Sequence, residues 1–448
     1  MMGKTKNHEQ LCCEVRLNEH VPADHLLRRI DAVLDLSFVR PLLAPSYSSR
    51  GRPSVDPELM LCMLLIGYLH GIRSRRRLCE DTRFNLAYRW FCRLGLHGAV
   101  PDYSTFSKNR HGRFRICGLF RALFEQVVER CIAAGLVAGQ DMAVDASVVT
   151  ADASPARRKP GDTAPADWGD RDAARRPVRE YLDALGAAVP PAPDEPKPSK
   201  PKHLSETDPQ AGWSNKHGPG EFAYATNYLI DTQTSVILDV EASPARFAAE
   251  VATTKVMLRR TRERFGVAPE RLAADKAYGS APLLAWLFNE GVEPHIPVLE
   301  RKHQTGGKLT RDSFVYDLAQ NVFVCPQNKV LRLNAREPSK RSDTYRASEG
   351  DCRDCPIKAQ CTDSRSRAVT RLWDEDARDR VRALAGTPAF ARSRRLRKRI
   401  ERLFAHLKHA MALRRLRLRG LLGAQDEFLL AAAAQNLGTL VRHGAASA

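Results

Sequence analysis

The sequence predicts an α/β protein in which a mixed sheet is preceded by a helical region and interrupted by a cysteine-rich segment. Three observations support this prediction. Apolar residues recur at spacings of three and four between positions 56 and 92, which is typical of helices. From position 142 onward, short apolar runs and helical stretches follow in the order β, insertion, β, β, α, β, α, β. Four of the eleven cysteines lie between positions 325 and 361.

Composition indicates a basic, globular protein of 448 residues. Lys and Arg number 71 against 52 Asp and Glu, which gives a net charge of +19 and points to a polyanionic partner, with nucleic acid ahead of a membrane surface. Collagen, a disulfide mini-protein and a wholly disordered chain are excluded. No apolar run reaches the ~18 residues of a membrane span, and positions 1–10 form no signal region. The seven cysteines before position 132 lack metal-like spacing and are expected to be reduced thiols in a cytoplasmic protein.

Residues 1–135 are predicted to form a helical DNA-binding domain. Asp56, Ser74 and Asp102 are capping residues at the starts of three helices, and Gly71 ends the first of them. Short helices with a glycine turn and later arginines suggest a helix-turn-helix-like DNA reader, and an ordinary bundle with a solvated basic face is the alternative. The candidate DNA contacts here are Arg75, Arg76, Lys108 and Arg110.

The rest of the chain divides into five stretches. Residues 136–151 hold the first strand of a catalytic core, and 152–220 are a Pro- and charge-rich insertion, largely disordered except for one short helix near 175–185. Residues 221–299 continue the core with a hairpin, a helix over 247–265, a strand over 271–274, a helix over 280–290 and a strand over 292–298. Residues 300–390 form the cysteine-rich insertion. Residues 391–448 are helices that close the core or contribute to a dimer.

Three acidic residues stand out by position. Asp145 interrupts the apolar run 142–146, Asp275 follows the apolar strand 271–274, and Glu401 is the one acidic residue among the many basic ones of 392–419. Taken singly, each is best explained by a structural ion pair. Taken together, two strand aspartates and a helix glutamate form a hard-oxygen set suited to Mg²⁺. Arg397, Glu401 and Lys408 are spaced by four and seven residues, so they share one helix face.

These motifs resemble those of the DDE transposases of bacterial insertion sequences. The stretches 51–57, 88–91 and 101–106 are similar to the N-terminal domain of that family. Asp145 in Val-Asp-Ala-Ser and Asp275 in Ala-Asp-Lys-Ala-Tyr match the first two catalytic motifs, and residues 397–408 match Arg-x3-Glu-x6-Lys. The third motif often begins with a tyrosine three residues before its arginine, and Arg394 stands there in this chain.

The resemblance implies a ribonuclease-H-like catalytic core and a transposase that cuts and joins DNA. Asp145, Asp275 and Glu401 would hold two Mg²⁺ or Mn²⁺ ions, and the partners would be terminal inverted repeats and target DNA, bound by a homodimer in the bacterial nucleoid. Two alternatives are a transposase-derived DNA-binding protein without activity and a simple ribonuclease-H-like nuclease. DNA contacts near the site are expected from Arg394, Arg397, Lys408, Lys276 and Tyr278.

The cysteine cluster predicts a second metal site. Cys325, Cys352, Cys355 and Cys361 follow a C-x26-C-x2-C-x5-C pattern, and its Cys-x2-Cys part is typical of zinc knuckles. Thiolates favour Zn²⁺ in a closed structural site, and four reduced thiols without metal are the alternative.

Overall fold

This computed structural model describes residues 16–48, 50, 54–187, 201–215, 218–245, 247–299 and 307–444. The chain divides into two compact units. The first, the helical unit, comprises the residues up to Leu136 with Phe404–Arg417 and the residues from Gln425 onward. The second, the sheet unit, comprises Val137–Leu403 with Leu418–Ala424. Much of 391–448, which we expected to belong to the catalytic core, therefore clusters with the N-terminal helices.

Nine helices precede the first strand among the described residues. They are α1 (Leu17–His20), α2 (Leu26–Val33), α3 (Val39–Leu43), α4 (Pro57–Leu69), α5 (Arg75–Phe84), α6 (Leu86–Phe91), α7 (Tyr103–His111), α8 (Arg113–Ile116) and α9 (Leu119–Ala133).

Helix α4 is the centre of the helical unit, since ten of its 13 residues are buried. The helix begins after Asp56, the capping residue predicted from the sequence. The Asp56 carboxylate accepts a hydrogen bond from the Glu58 N–H at 2.9 Å, and Pro57 occupies the first helical position. After its end, Gly71 adopts a φ of +65°. A Cβ at Gly71 would lie 2.6 Å from the carbonyl oxygen of Ala410, so this close approach requires glycine.

The sheet unit begins with strands and crossover helices. They are β1 (Asp141–Thr150), β2 (Arg158–Pro160), α10 (Arg176–Ala187), β3 (His203–Ser205), β4 (Gly212–Ser214), β5 (Glu221–Asp231), β6 (Ile237–Pro244), α11 (Phe247–Phe265), β7 (Arg271–Ala273), α12 (Ala281–Asn289) and β8 (Glu293–His295).

The main sheet is mixed and has the order β4-β5-β1-β7-β8, with β6 also paired to β5. The hairpin β5–β6 and the pair β1–β5 are antiparallel, whereas β1–β7 and β7–β8 are parallel. Parallel neighbours need crossover connections, and α11 and α12 provide them. Strand β5 is buried along nearly its whole length, and α11 packs on β5 and β6. The α/β class and the mixed sheet are thus confirmed.

The stretch 152–220 is more ordered than we predicted, within the part that the structure describes. Strand β2 pairs with β3, β4 extends the main sheet beside β5, and α10 lies where a short helix was expected. Leu204 is 2% exposed and Asp208 is fully buried. A few apolar residues therefore anchor this charged segment, although its composition resembles that of a solvated chain. Residues 188–200, which hold five of its twelve prolines, lie outside the described residues.

A second, antiparallel sheet follows, with the order β13-β12-β11-β10-β9. The remaining elements are β9 (Val315–Asp317), β10 (Val322–Val324), β11 (Val330–Glu337), β12 (Ser342–Arg346), α13 (Glu349–Arg353), α14 (Lys358–Cys361), β13 (Ala368–Leu372), α15 (Glu375–Leu384), α16 (Pro388–His409) and α17 (Leu421–Gly444). Phe314, Phe323 and Tyr345 are at the centre of its small apolar core. Among all described helices, none is both long and apolar enough to cross a bilayer.

Candidate active site

The first two carboxylates follow the paired stretch of two neighbouring parallel strands. Met142 is opposite Leu272 and Ala143 is opposite Ala273 in the β1–β7 pairing. Asp145 lies two residues further along β1, and Asp275 lies two residues past the end of β7. Both residues therefore follow the same end of a parallel pair whose strands are about 4.8 Å apart.

Local hydrogen bonds orient both carboxylates. Asp145 Oδ1 accepts the Ala146 N–H at 2.8 Å, and the Asp145 side chain is 18% exposed. Strand β7 ends at Ala273, and Asp275 then caps a short 3₁₀ turn by accepting the Ala277 N–H at 2.8 Å. The end of a parallel strand is where open α/β sheets place ligand sites.

Helix α16 brings the third carboxylate to the same place. Arg397 Nη1 lies 3.1 Å from Asp145 Oδ2, and its Nη2 lies 2.9 Å from Glu401 Oε1. One guanidinium thus spans the first and third carboxylates. The Arg397 contacts were predicted to be with DNA phosphates, whereas the structure places this cation between two acidic groups. Glu401 is 55% exposed on its side chain, so it remains accessible to solutes.

Two polar contacts fix the start of α16 on the sheet. His295, at the end of β8, forms a hydrogen bond with Ser393 through Nδ1 at 2.6 Å, and both side chains are buried. Arg399 Nη1 donates to the carbonyl oxygen of Thr232 at 2.7 Å, in the turn between β5 and β6. These contacts hold the register of α16, and that register decides where Glu401 points.

Tyr278 identifies a fourth acidic residue beside the site. Its side chain is 1% exposed, and its hydroxyl has no hydrogen-bond partner among the described residues. Burial raises the pKa of Tyr278 well above its ordinary value, and the negative charges of Glu250, Asp145 and Asp275 raise it further. Glu250 lies in the first turn of α11 and was not singled out from the sequence, where nothing distinguishes it from a surface glutamate.

The other predicted DNA contacts differ in exposure. Arg76, Lys108, Lys276 and Arg394 are exposed, whereas Arg75 and Lys408 are half-buried. Arg110 is only 4% exposed, and Tyr278 is almost fully buried as well. A contact with a DNA groove is therefore disfavoured for Tyr278 and for Arg110, because neither side chain presents enough surface, and a phosphate group could reach Arg110 only through a cavity. Sequence alone could not separate them, since exposure depends on the fold.

The four cysteines gather around the apolar core of the second sheet. Cys361 belongs to that core, and Cys325 and Cys352 pack against it. Two backbone N–H groups of the turn after Cys325 point to its Sγ, each at 3.3 Å. Burial raises the pKa of the Cys361 thiol, and the nearby Cys352, Cys355 and Cys325 contribute in the same direction. Three of the four predicted ligands thus lie at one apolar core, and Cys355 is near enough to Cys361 to affect the pKa of its thiol.

Neither group has the closed geometry of a metal site. Across the described ranges, no set of three or more His, Cys, Asp or Glu side chains is arranged to hold an ion. At the carboxylates, the Arg397 cation occupies the position between Asp145 and Glu401. The donor chemistry nevertheless suits the two expected ions: hard oxygens favour Mg²⁺, and clustered thiols favour Zn²⁺.

Two family models match parts of the chain. Residues 15–112 match a family described as a transposase domain (DUF772), and residues 324–441 match one described as a transposase DDE domain. The second range includes Arg397, Glu401 and Lys408, together with the four cysteines of the second sheet. No match was found among curated proteins or among solved structures.

Proposed function

Because the chain belongs to the DDE-type transposases of insertion sequences, we propose that it binds the ends of a DNA element and catalyses metal-dependent cleavage and transfer of DNA strands. The observation that carries this proposal is the Arg397 guanidinium that joins Asp145 to Glu401, with Asp275 two residues past the end of β7, the parallel neighbour of the strand that holds Asp145. Three acidic residues remote in sequence have no structural need to meet at one place. Their convergence beside a basic helix favours a function in phosphoryl transfer.

The proposed core is ribonuclease-H-like. The support is the six-stranded mixed sheet, in which β5 pairs antiparallel with β1, β4 and β6, while β7 runs parallel to both β1 and β8. The helix that carries Glu401 follows the second sheet in the chain. In this view, β9–β13 form an insertion between the last core strand and the glutamate helix.

In the proposed mechanism, Asp145, Asp275 and Glu401 would hold two Mg²⁺ or Mn²⁺ ions. When bound, such ions activate water or a 3′-hydroxyl and stabilise the charge of an in-line displacement. Arg397 offsets one of the two negative charges of Asp145 and Glu401, which limits their mutual repulsion. With metal bound at the carboxylates, Arg397 would be available to a DNA phosphate, as Arg394 and Lys276 are from exposed positions.

Tyr278 and Glu250 would act as positioning residues. A buried tyrosine hydroxyl without a partner can donate to a neighbouring carboxylate and fix its rotamer. Because Asp275 caps the short turn that ends at Tyr278, the same turn sets both side chains. We do not assign either residue to metal binding.

DNA recognition is assigned to the helical unit and to exposed basic residues, with terminal inverted repeats and target DNA as ligands. The net charge of +19 supports this assignment, since phosphate contacts supply most non-specific affinity. Joining two ends requires two active sites, which favours a homodimer on DNA. Localisation with the bacterial nucleoid follows from the same ligands.

A structural zinc site is proposed at Cys325, Cys352, Cys355 and Cys361. Its support is the gathering of four thiols and the pair of N–H groups directed at Cys325 Sγ, which would stabilise a thiolate. The test is the zinc content of purified protein, which should be about one ion per chain and fall in a Cys352→Ser, Cys355→Ser double variant. Cys117→Ser, in the helical unit, is the matched control.

The test of the catalytic proposal is a cleavage assay on labelled element ends with Mg²⁺ or EDTA. Asp145→Asn, Asp275→Asn and Glu401→Gln should each abolish cleavage while DNA-end binding persists. Glu263→Gln removes an exposed carboxylate of α11 and should leave cleavage unchanged. Wild-type cleavage by any of the three variants would remove that residue from the site.

The same assay separates the alternatives. A DNA-binding descendant without activity would bind ends and cut nothing in either buffer. A simple nuclease would cut but give no strand-transfer product when target DNA is added. The intact carboxylate trio argues against the first, and the helical unit that precedes the core argues against the second.

A further inference from the structure

The helical unit contains a cavity lined by more cations than anions. Arg73, Arg75, Arg110 and Arg417 border it, together with the single carboxylate Glu427 and apolar side chains of α4 and α5. The cavity is small, with a volume of about 30 Å³, and is partly open to solvent. All its lining residues belong to the same compact unit.

The lining carboxylate is already engaged. Glu427 Oε2 accepts a hydrogen bond from Arg73 Nη2, and its Oε1 accepts the backbone N–H of Arg417 at 2.6 Å. The Glu427 side chain is 1% exposed. A nearby hydroxyl, Ser107 Oγ, accepts from Arg75 Nη1 at 2.5 Å. One negative charge therefore faces four guanidinium groups.

Arg110 is the least satisfied of these cations. It is 4% exposed, and its Nε and Nη2 atoms are buried without a hydrogen-bond partner among the residues that the structure describes. The Arg73 Nε atom is in the same situation. An arginine cannot shed its proton to escape burial, so its charge and its N–H groups need a partner.

The excess of positive charge also affects Arg75. Burial lowers the pKa of Arg75, and the positive charges of Arg110 and Arg417 lower it further, although Glu427 opposes them. A site that disfavours its own cations will favour an added anion. Guanidinium groups bind planar or tetrahedral oxyanions through paired N–H donors, and phosphate is the anion they hold best.

We propose that this cavity binds a phosphate group, with Arg110 as its principal ligand and Arg75 beside it. The group could be free inorganic phosphate or a phosphodiester of bound DNA, because both present the same tetrahedral oxygens. The first source is independent of the transposase function, whereas the second rests on it. The experiment therefore has one arm for each source.

In the first arm, melting temperature is measured in sodium phosphate and in sodium chloride at equal ionic strength. The wild-type protein should melt roughly 5–10 °C higher in phosphate at about 100 times the dissociation constant. Arg110→Met should lose this difference. Without phosphate, the variant should melt no lower than the wild type, because it removes an unpaired buried charge. Arg83→Met, on α5 and exposed, should behave as the wild type.

In the second arm, binding to a fluorescent DNA duplex is titrated over a series of chloride concentrations. If a DNA phosphodiester is the occupant, Arg110→Met should reduce the slope of log K against log salt by about 1, with Arg83→Met as the control. Arg75→Met provides a second variant should the first fail to fold. The proposal is overturned if the wild type shows no phosphate-specific shift and the slopes agree, or if Arg110→Met keeps the full phosphate shift.

Discussion

Asp208 should make the stability of the sheet unit depend on pH. Its side chain is fully buried. One oxygen, Oδ1, accepts hydrogen bonds from the Tyr224 hydroxyl at 2.6 Å and the Gly420 N–H at 3.1 Å, while Oδ2 has no partner among the described residues. Burial raises the pKa of Asp208 from 3.8 to about 6, although these hydrogen bonds and Arg419 oppose the shift. The perturbation we choose is Asp208→Asn.

The size of the effect follows from that shift. The difference between 3.8 and about 6 is roughly 2 pKa units, and at 1.36 kcal/mol per unit this amounts to about 3 kcal/mol. The folded state binds the proton more tightly than the unfolded state, so stability falls as pH rises from about 4 through about 6. Below the pKa of this carboxyl in the unfolded chain, Asp208 is protonated in both states and lowers the stability by nothing. Above pH 7, the full loss of stability is present.

The assay is urea unfolding of wild type and Asp208→Asn at several pH values. The amide keeps the oxygen that accepts from Tyr224 but carries no charge, so the variant should be more stable by about 3 kcal/mol at pH 8 and by less than about 1 kcal/mol near pH 4. Asp162→Asn, at an exposed position of the same unit, controls for general effects of the substitution. A difference that stays constant from pH 4 to pH 8 would refute the assigned role of burial.

Three further outcomes are expected. Arg115→Ala should lower the free energy of unfolding in urea by about 3–5 kcal/mol. Asp426 would lose the guanidinium whose Nε lies 2.9 Å away, and both side chains are nearly buried. A decrease below about 1 kcal/mol would contradict this expectation. Asp102→Ala removes the N-cap acceptor of α7 and should cost about 1 kcal/mol, whereas Asp102→Asn should cost far less. Arg397→Met should bind Mn²⁺ about fivefold more tightly in calorimetry, while its cleavage activity falls. The reason is that the variant lacks a positive charge that competes with metal for the carboxylates, and this competition is worth about 1 kcal/mol. Weaker Mn²⁺ binding by the variant would show that the arginine does not compete with metal.

The elements of the main sheet could be predicted because their sequence patterns are local. The helix predicted over 247–265 begins and ends at those residues in the structure. The hairpin β5–β6 and the short strands β7 and β8 lie within the ranges that their apolar runs and turn residues predicted. Strands β12 and β13 were not predicted. They are short and half polar, and they are held by pairing with β11 rather than by an apolar run.

The candidate site was predictable in its residue types but not in its contacts. Asp145 and Asp275 were identified because each is a charged residue in or directly after an apolar run, and these runs form parallel neighbours in the main sheet. The position of Arg397 between two carboxylates depends on how α16 docks, which no spacing reveals. Glu250 and the burial of Arg110 are likewise consequences of packing, so a single sequence contains no signal for them.

The order in which the site's elements occur in the chain has a consequence for synthesis. Strands β1 and β7, with Asp145 and Asp275, leave the ribosome well before α16, and the whole second sheet lies between them and Glu401. A nascent chain that has formed its main sheet still lacks the third acidic group, and its N-terminal helices still lack the C-terminal residues of the helical unit. The three carboxylates can therefore come together only when α16 docks, late in the maturation of the chain.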